Sequence, residues 1–403
     1  MMYKLKIKNL IFLITVLCCS ILSCCSADKD NSEVSTNRIS SSEISRPSEV
    51  LNYDDDFTLM IYMCGSSLES RNGSASDDIS ELLSADIPDK VNVLIETGGS
   101  QRWKKHSISA DKLQRYTVEN NKLKLLEDIK LSNMGDSQTL KDFIDWGTEN
   151  FPAKRTALIL WDHGGGVLNG ICKDELYQNN WLTIQEFDDA LSKSKFQYSF
   201  DFIGFDACLM ANYETALVAS KYSDYMIASE DLEPTGGWDY KALSEALGSD
   251  RLYDIILDSY QNYHKNNDYY TLSAINLKMI DRVKNLLLQC ISKTEKNNNP
   301  LLMSEAVQSS EGFGSVSSYL YDLGNIADYI GIDYNCTDIV KSVHSENRKN
   351  TCGINFCFPQ NDSEALNKYL QISKDEKYNA FLKKYFRRCL LWKNSKVLLL
   401  LYY

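Results

Sequence analysis

Positive charge, histidine and paired cysteines are all scarce in this 403-residue sequence, and each shortage argues against a class of function. The formal net charge is −12, whereas the phosphates of a nucleic acid must be met by clustered Lys and Arg, so we predict no nucleic-acid partner. No C-x-x-C pair accompanies a second pair or histidines at metal-ligand spacing, which argues against a structural zinc site. The absence of a Gly-x-Ser-x-Gly motif argues against an esterase of the α/β-hydrolase type.

The apolar run near the N-terminus is too short to cross a bilayer. It covers residues 10–22, whereas a spanning helix needs about 20 apolar residues, so a signal peptide fits better. The run ends in Ile-Leu-Ser-Cys, which resembles a bacterial lipobox and predicts lipidation of Cys24. Cys25 is a second candidate, and a plain secretory signal is the alternative. We therefore predict an exported lipoprotein of a bacterial cell envelope, attached to the membrane through its lipid.

Composition divides the chain into four segments. We assign residues 1–24 to the lipoprotein signal peptide and residues 25–54, which are rich in Ser, Asn, Asp and Glu, to a flexible polar tether. Residues 55–385 form the folded domain. Residues 386–403 form an atypical tail, whose apolar end at 397–403 is either a final buried strand or an abnormal chain end.

Short apolar runs alternate with segments of helical periodicity through the folded domain. The predicted strands are 57–63, 91–96, 156–161, 202–205, 225–228, 269–275 and 352–358. Helices are predicted over 139–147, 183–192 and 209–220, and a further one around residues 79–83. Continuous apolar strands that alternate with helices are typical of an α/β protein with a mainly parallel sheet covered on both faces.

Two of these strands end at residues that carry chemistry. His163 follows the strand 156–161, and Cys208 follows the strand 202–205. They are 208 − 163 = 45 residues apart, enough for one crossover helix, so adjacent parallel strands would bring them to the same edge of the sheet. A cysteine thiolate attacks carbonyl carbon, and a neighbouring imidazole lowers the pKa of the thiol or takes its proton. A helix that begins directly after the cysteine would stabilise the thiolate further.

Three glycines follow the histidine. Without a Cβ they let backbone N–H groups approach a substrate carbonyl, so Gly164 and Gly165 are candidates to bind the oxyanion that develops there. Taken separately, a glycine turn is often only a tight turn, and a cysteine at the end of a strand is usually a small buried residue. Their occurrence together after two predicted neighbouring strands favours the catalytic interpretation.

The residues around these positions resemble a known family. Residues 160–166 (Leu-Trp-Asp-His-Gly-Gly-Gly), 205–210 (Phe-Asp-Ala-Cys-Leu-Met) and 228–238 look like three sequence blocks of the clostripain-like cysteine peptidases. The resemblance implies a caspase-like α/β/α sandwich with a mainly parallel central sheet. It also implies that His163 and Cys208 form a catalytic dyad, which cleaves protein or peptide substrates after Arg or Lys.

The same resemblance implies roles for further residues. A pocket for a cationic side chain needs a carboxylate, for which Asp206, Glu230 and Asp231 are candidates. Family members are often zymogens cut between the two dyad residues, and Lys173, in a predicted exposed loop, is the candidate processing site. Some members need calcium, but no EF-hand-type loop is present here, so we predict no cofactor and no metal site and leave calcium open. We expect a monomer.

One alternative function stays open at this point. A surface lipoprotein with the same fold could act as a binding module without catalysis. Turnover of an arginyl or lysyl peptide that depends on Cys208 distinguishes the endopeptidase from the binding module.

Overall fold

The computed structural model describes residues 53–400 except Asn298, Pro300 and Asn361, and within that span it leaves out the side chains of Val316 and of residues 389–400. In this part of the chain the strands β1 to β14 are Asp55–Cys64, Val91–Gly98, Lys112–Glu119, Lys122–Lys130, Ala153–Trp161, Ile171–Asp174, Asn180–Leu182, Phe200–Asp206, Ser223–Ala228, Thr271–Asn276, Gly312–Phe313, Leu320–Asp322, Val340–His344 and Asn355–Cys357. The α-helices α1 to α12 are Ser74–Leu82, Ser137–Asn150, Gly166–Asn169, Ile184–Lys193, Tyr213–Ala219, Tyr240–Ala246, Leu252–His264, Ile280–Lys296, Leu302–Ser309, Leu323–Ile330, Ser363–Ile372 and Glu376–Leu400. Shorter helical turns cover Leu68–Asn72, Leu277–Met279, Val316–Ser318 and Glu346–Arg348.

Nine of the described strands form one sheet, in the order β13-β10-β9-β8-β5-β1-β2-β3-β4. The five central strands, from β9 to β2, all run parallel to their neighbours. The four outer strands pair in antiparallel fashion. The prediction of a mainly parallel central sheet is therefore confirmed.

Both faces of the sheet are covered by helices. Met60 and Tyr62 of β1 lie in a core that also contains buried side chains of α2, α4 and α8. Ile61 and Met63, which alternate with them, lie in a second core with side chains of α1, α6 and α7. Because successive side chains of a strand point to opposite faces, a strand buried on both faces has a continuous apolar sequence. The result is the predicted α/β/α sandwich.

The predicted sheet lacked the hairpin formed by β3 and β4. Most side chains of β4 are exposed, so its sequence has no apolar run of the kind that identifies a buried strand. Asn120 and Asn121 connect the two strands with φ angles of 51° and 58°. Asparagine tolerates this left-handed conformation, and a two-residue turn of this kind matches the twist of a hairpin. The two consecutive asparagines are therefore the sequence feature that indicates this hairpin.

The cysteines whose side chains the structure describes all carry free thiols. Cys352 and Cys357 are not bridged. Most of the others are fully buried, whereas Cys208 and Cys336 are half-buried like Cys352. Because thiolate chemistry requires access, burial makes most of these thiols chemically inert.

The C-terminal part of the described chain is helical. Helix α12 continues across residue 386 up to Leu400, so the interpretation of 397–403 as a final strand is wrong for its residues up to Leu400. The signal peptide, the lipidation candidate Cys24 and the tether up to residue 52 lie outside the described residues. Within the described residues, no helix has both the length and the apolar composition needed to cross a membrane.

Candidate active site

The carboxyl ends of β5 and β8 bring His163 and Cys208 to the wall of one cavity. Trp161 and Asp206, the last residues of the two strands, pair in parallel register. The histidine and the cysteine each follow two residues later, and the Asp162 N–H still donates to the Asp206 carbonyl at 3.3 Å. Both side chains line a cavity of about 220 Å³. The predicted meeting of the two side chains at one edge of the sheet is therefore present in the structure.

Gly164 allows the loops after these two strands to touch. A Cβ placed on this glycine would lie 1.9 Å from the carbonyl oxygen of Cys208 and 2.9 Å from its backbone nitrogen. Any side chain here would therefore clash with backbone, which has no rotamer by which to move away. The glycine is needed so that the histidine loop can lie directly against the cysteine loop.

Gly165 does not have the predicted role. Its N–H donates to the carbonyl oxygen of Gly170 at 2.8 Å, which leaves it no free hydrogen for a substrate oxygen. Gly166 takes a left-handed φ of 62° as the chain turns into α3. Of the two predicted oxyanion donors, Gly164 is thus the one that still lies beside the nucleophile.

His163 is held by a serine that follows the neighbouring strand β1. The Oγ of Ser67 lies 3.0 Å from Nε2 of the half-buried imidazole. Burial lowers the pKa of His163, and the positive charges of Lys173 and Arg71 lower it further. The imidazole is therefore neutral at pH 7 and able to accept a proton. Sequence reasoning missed Ser67, although it follows β1, the strand that pairs with β5.

Asp162 holds the loops around the histidine together. Its buried carboxyl group accepts hydrogen bonds from the Ser66 hydroxyl and from the backbone N–H of Lys173. Burial raises the pKa of this carboxyl to about 8, and these hydrogen bonds oppose the rise. The residue thus connects the segment after β1 and the end of β5 to strand β6.

Cys208 is not followed directly by a helix. The helix predicted over 209–220 begins at Tyr213, and Leu209 takes a left-handed φ of 68° in the intervening segment. Burial raises the pKa of the Cys208 thiol, and the backbone N–H of Glu233, 3.3 Å from Sγ, opposes the rise. The expected helix N-terminus beside the sulfur is therefore a wrong prediction, and a loop N–H takes its place.

The rest of the cavity is acidic. Asp206 is a buried residue of its lining. The Tyr240 hydroxyl donates to its Oδ2 at 2.9 Å, and burial raises the pKa of this carboxyl to about 6. Asp78 and Glu81 of α1 and Glu233 of the loop after β9 also line the cavity, and no Lys or Arg occurs among its lining residues. In the part of the chain that the structure describes, no three His, Cys, Asp or Glu side chains are grouped so as to hold a metal ion.

Sequence reasoning missed these additional carboxylates. Asp78 and Glu81 are three residues apart, so they share one face of α1, but only the fold shows that this face turns toward the cysteine. Glu233 stands inside the third block of family resemblance, which was the available signal. The carboxylates that the sequence predicts from this block are Glu230 and Asp231.

Glu230 and Asp231 do not line the cavity, which corrects the prediction for both. Glu230 is fully buried and faces Asp322, and its pKa is raised well above its usual value, mainly by burial and then by that neighbour. Asp231 forms an ion pair with Arg348 at 2.6 Å. Both carboxyl groups therefore hold the loop after β9 against neighbouring parts of the fold instead of facing a substrate.

Lys173 lies in strand β6, not in the predicted exposed loop. Its backbone N–H is bound by Asp162, as described above, and its Nζ lies 5.6 Å from the centroid of the Trp181 ring. The residue is half-buried and close enough to His163 to influence the pKa of that imidazole. A cut after Lys173 would therefore occur beside the candidate dyad.

A family comparison agrees with this arrangement. The model of the Clostripain family matches residues 61–386 of the chain. The chain therefore belongs to the clostripain family of cysteine peptidases, as its sequence blocks predicted. Clostripain of Hathewaya histolytica is 34% identical over 137 residues, which are 29% of this chain and 25% of that protein. The match thus spans about a quarter of the length of this curated relative.

Solved structures show the same fold. A secreted C11 cysteine protease from Bacteroides thetaiotaomicron, in complex with an irreversible peptide inhibitor, superposes with a TM-score of 0.61 at 15% identity, covering 81% of this chain and 99% of that one. An inactive zymogen C11 protease from Parabacteroides distasonis has a TM-score of 0.61 at 20% identity, covering 81% of this chain and 98% of that one. These likenesses confirm the predicted caspase-like fold.

Proposed function

We propose that this chain is an exported cysteine endopeptidase that cleaves peptide bonds after Arg or Lys, with Cys208 as nucleophile and His163 as base. The observation that carries the proposal is the content of one cavity. A thiol, an imidazole and several carboxyl groups line it together, with no Lys or Arg among the lining residues. Such a cavity attracts a cationic side chain and holds the adjacent carbonyl next to sulfur.

Both members of the dyad are neutral before substrate binds. Burial raises the pKa of Cys208 and lowers the pKa of His163, which disfavours a resting thiolate–imidazolium pair. The thiol proton therefore moves to the imidazole as sulfur bonds to the substrate carbonyl carbon. The imidazolium then returns this proton to the leaving amine, and a thioester remains. Water, deprotonated by the same imidazole, hydrolyses the thioester and restores the thiol.

The oxyanion formed during attack needs backbone donors close to the sulfur. The Gly164 N–H is the first proposed donor. The Cα of Gly164 lies against the Cys208 backbone, where there is no room for a side chain. The Cys208 N–H, which belongs to the nucleophile itself, is the second proposed donor. Donors that are fixed before reaction stabilise the transition state without reorganisation.

We expect Gly164→Ala to lower kcat/KM by about 100-fold, because a displacement of about 1 Å in catalytic geometry has an effect of this size. Gly312→Ala is the matched control: its Cβ would have only ordinary contacts, at 3.6 Å or more, and its kcat/KM should not change. Steady-state kinetics on both variants, with melting temperatures to establish folding, provide the measurement. Full activity of Gly164→Ala would contradict the close approach of the two loops.

A thiol-directed peptide probe tests the proposed function directly. A peptidyl chloromethyl ketone with Lys at the reactive end should alkylate Cys208, as located by mass mapping, faster than the same probe with Gln. The Cys208→Ala variant should remain unlabelled, and Cys336→Ala, which removes another half-buried thiol, should react normally. Assays with EDTA and with added calcium cover the open question of a calcium requirement. Equal rates for the Lys and Gln probes would reject the cationic specificity, and no reaction at all would indicate the binding module.

Self-cleavage after Lys173 is the proposed activation step. One structural relative is described as an inactive zymogen, and here Lys173 adjoins both Asp162 and the imidazole. We expect the active protein to have a new N-terminus at Asp174, and Lys173→Ala to remain a single chain of lower activity. Cys208→Ala should also stay uncut, and N-terminal mass mapping records all three results. Normal maturation of Lys173→Ala would exclude this site.

Export as a lipoprotein rests on the leader sequence. One structural relative is described as secreted, and the lipobox-like residues before Cys24 favour lipid attachment at that thiol. Mass mapping of the mature N-terminus should find a lipidated cysteine, and Cys24→Ala should release the protein from the membrane fraction. A mature N-terminus without lipid would leave the plain secretory signal as the explanation.

A further inference from the structure

Asp231 is connected to the nucleophile through its backbone and through its side chain. Its carbonyl oxygen accepts the N–H of Leu209, the residue after Cys208, at 3.0 Å. Its Oδ1 accepts the N–H of Leu232 at 2.8 Å. The next N–H along the chain, that of Glu233, donates to the sulfur of Cys208 at 3.3 Å. The orientation of one carboxylate therefore helps to fix the loop that supplies a donor to the sulfur.

Arg348 binds the other oxygen of that carboxylate. Its Nε and one terminal nitrogen lie 2.7 Å and 2.6 Å from Oδ2 of Asp231. The second terminal nitrogen lies 2.6 Å from Oε2 of Glu311. The guanidinium carbon is 5.1 Å from the centroid of the Tyr269 ring and 5.1 Å from that of Phe313. A planar, permanently charged group with contacts on so many sides is fixed in orientation, and it fixes the carboxylate bound to it.

The backbone beside the sulfur needs such a restraint. Leu209 has a left-handed φ of 68°, a conformation that is unfavourable for a residue with a Cβ and persists only where the surroundings impose it. The carbonyl of Asp231 binds the N–H of this leucine, as described above. Arg348, which holds Asp231, lies 117 positions further along the chain. The restraint on the nucleophile segment therefore comes from a distant part of the fold.

We propose that Arg348 is a positioning residue of the candidate active site: by binding Asp231 it holds the loop after β9 so that the Glu233 N–H points at the sulfur. This inference rests on the proposed function and adds a residue to its machinery. An N–H directed at sulfur stabilises the negative charge that develops as the thiol proton leaves. Arg348 lies outside the lining of the cavity, so it should affect the chemical step and not the binding of a basic side chain.

Arg348→Gln should lower kcat for a lysyl peptide by about tenfold or more, the effect of losing one hydrogen bond to a charged group, and leave KM within about twofold. Arg155→Gln is the matched control. Two nitrogens of Arg155 donate to Asp201 at 2.8 Å and 2.9 Å, and its guanidinium carbon lies 5.1 Å from the centroid of the Phe57 ring. Arg155 is near the amino end of β5, opposite to the edge that carries His163. Its replacement should leave kcat unchanged even where the melting temperature falls as far as in Arg348→Gln.

The effect of Asp231→Asn separates positioning from charge. Both carboxylate oxygens accept hydrogen bonds, so the amide of asparagine would turn a donor toward either Arg348 or the Leu232 N–H and displace the loop. We therefore expect iodoacetamide to alkylate Cys208 more slowly at pH 8, by about threefold or more. If Arg348 acted through its charge alone, removal of the aspartate charge would favour the thiolate and make alkylation faster. Asp231→Asn combined with Arg348→Gln should be no slower than the slower single variant.

Arg348→Lys is the second variant should Arg348→Gln fail to fold. It keeps the positive charge but loses the two-nitrogen contact, so both kcat and the alkylation rate should fall by about threefold or more. Unchanged rates in the Arg348 variants, an equal fall of kcat in Arg155→Gln, or faster alkylation in Asp231→Asn would overturn the inference. Alkylation of Cys208 needs no peptide turnover, so it tests the positioning role separately. A wild type that alkylates as expected but cleaves no lysyl peptide would reject the proposed function instead.

Discussion

His163→Ala and Cys208→Ala should each lower kcat by about 10⁴-fold or more, and the double variant should be no worse than either single one. The two side chains act as a unit, because the sulfur becomes nucleophilic only when the imidazole takes the thiol proton. Removal of one therefore leaves nothing for the other to contribute. Steady-state kinetics of the three variants on a lysyl peptide provide the measurement.

The alkylation rate of Cys208 by iodoacetamide distinguishes the two forms of such a dyad. A resting ion pair would give a high rate that is constant between pH 5 and pH 8. Because burial raises the pKa of the Cys208 thiol above its usual value, we expect the rate to be low at pH 7 and still rising at pH 9. A plateau between pH 5 and pH 8 would show that the thiolate is preformed and would contradict the neutral dyad. If the losses of kcat in the two single variants added up in the double variant, His163 and Cys208 would not act as a unit.

Asp206→Asn should lower kcat/KM for Arg and Lys substrates by about 10²- to 10³-fold, since loss of one partner of a buried charge pair costs roughly 2–5 kcal/mol. The effect should be small for a substrate with Gln at the same position. Asparagine keeps the shape of the side chain but removes the negative charge that the cationic side chain requires. The ratio of kcat/KM for Lys and Gln substrates measures this loss independently of any general damage to the site.

Glu230→Gln is the control for this prediction. Glu230 is an acidic candidate from the sequence that the structure places outside the cavity, so its replacement should leave the Lys-to-Gln ratio unchanged. A large drop in that ratio for Glu230→Gln, with Asp206→Asn near the wild type, would reverse the assignment. A drop of the same size for Lys and Gln substrates in Asp206→Asn would show a structural role.

Much of the central sheet was predictable, because its strands are buried on both faces. Strand β1 was predicted over 57–63 and covers Asp55–Cys64, and β5 was predicted over 156–161 and covers Ala153–Trp161. A fully buried strand has to be apolar at successive positions, so its sequence identifies it. The half-exposed hairpin of β3 and β4 lacks this constraint and was missed.

The details next to the nucleophile could not be predicted in the same way. Apolar spacing favoured a helix from residue 209, whereas Leu209 instead donates its N–H to the Asp231 carbonyl and the helix starts at Tyr213. Contacts between two loops far apart in the sequence outweigh local helix preference there. The same loop contacts supply the Glu233 N–H that approaches the sulfur.

The sequence alone determined the buried parallel strands of the sheet centre, the glycine beside the histidine and the position of His163 and Cys208 at two strand ends. These features depend on local periodicity and on the geometry of parallel strands, which neighbouring residues specify. Only the tertiary structure decided which carboxylates reach the cavity: Asp78, Glu81 and Glu233 do, and Glu230 and Asp231 do not. The reason is that side-chain direction at a loop or on a helix face depends on what packs against it, and that partner is distant in the sequence.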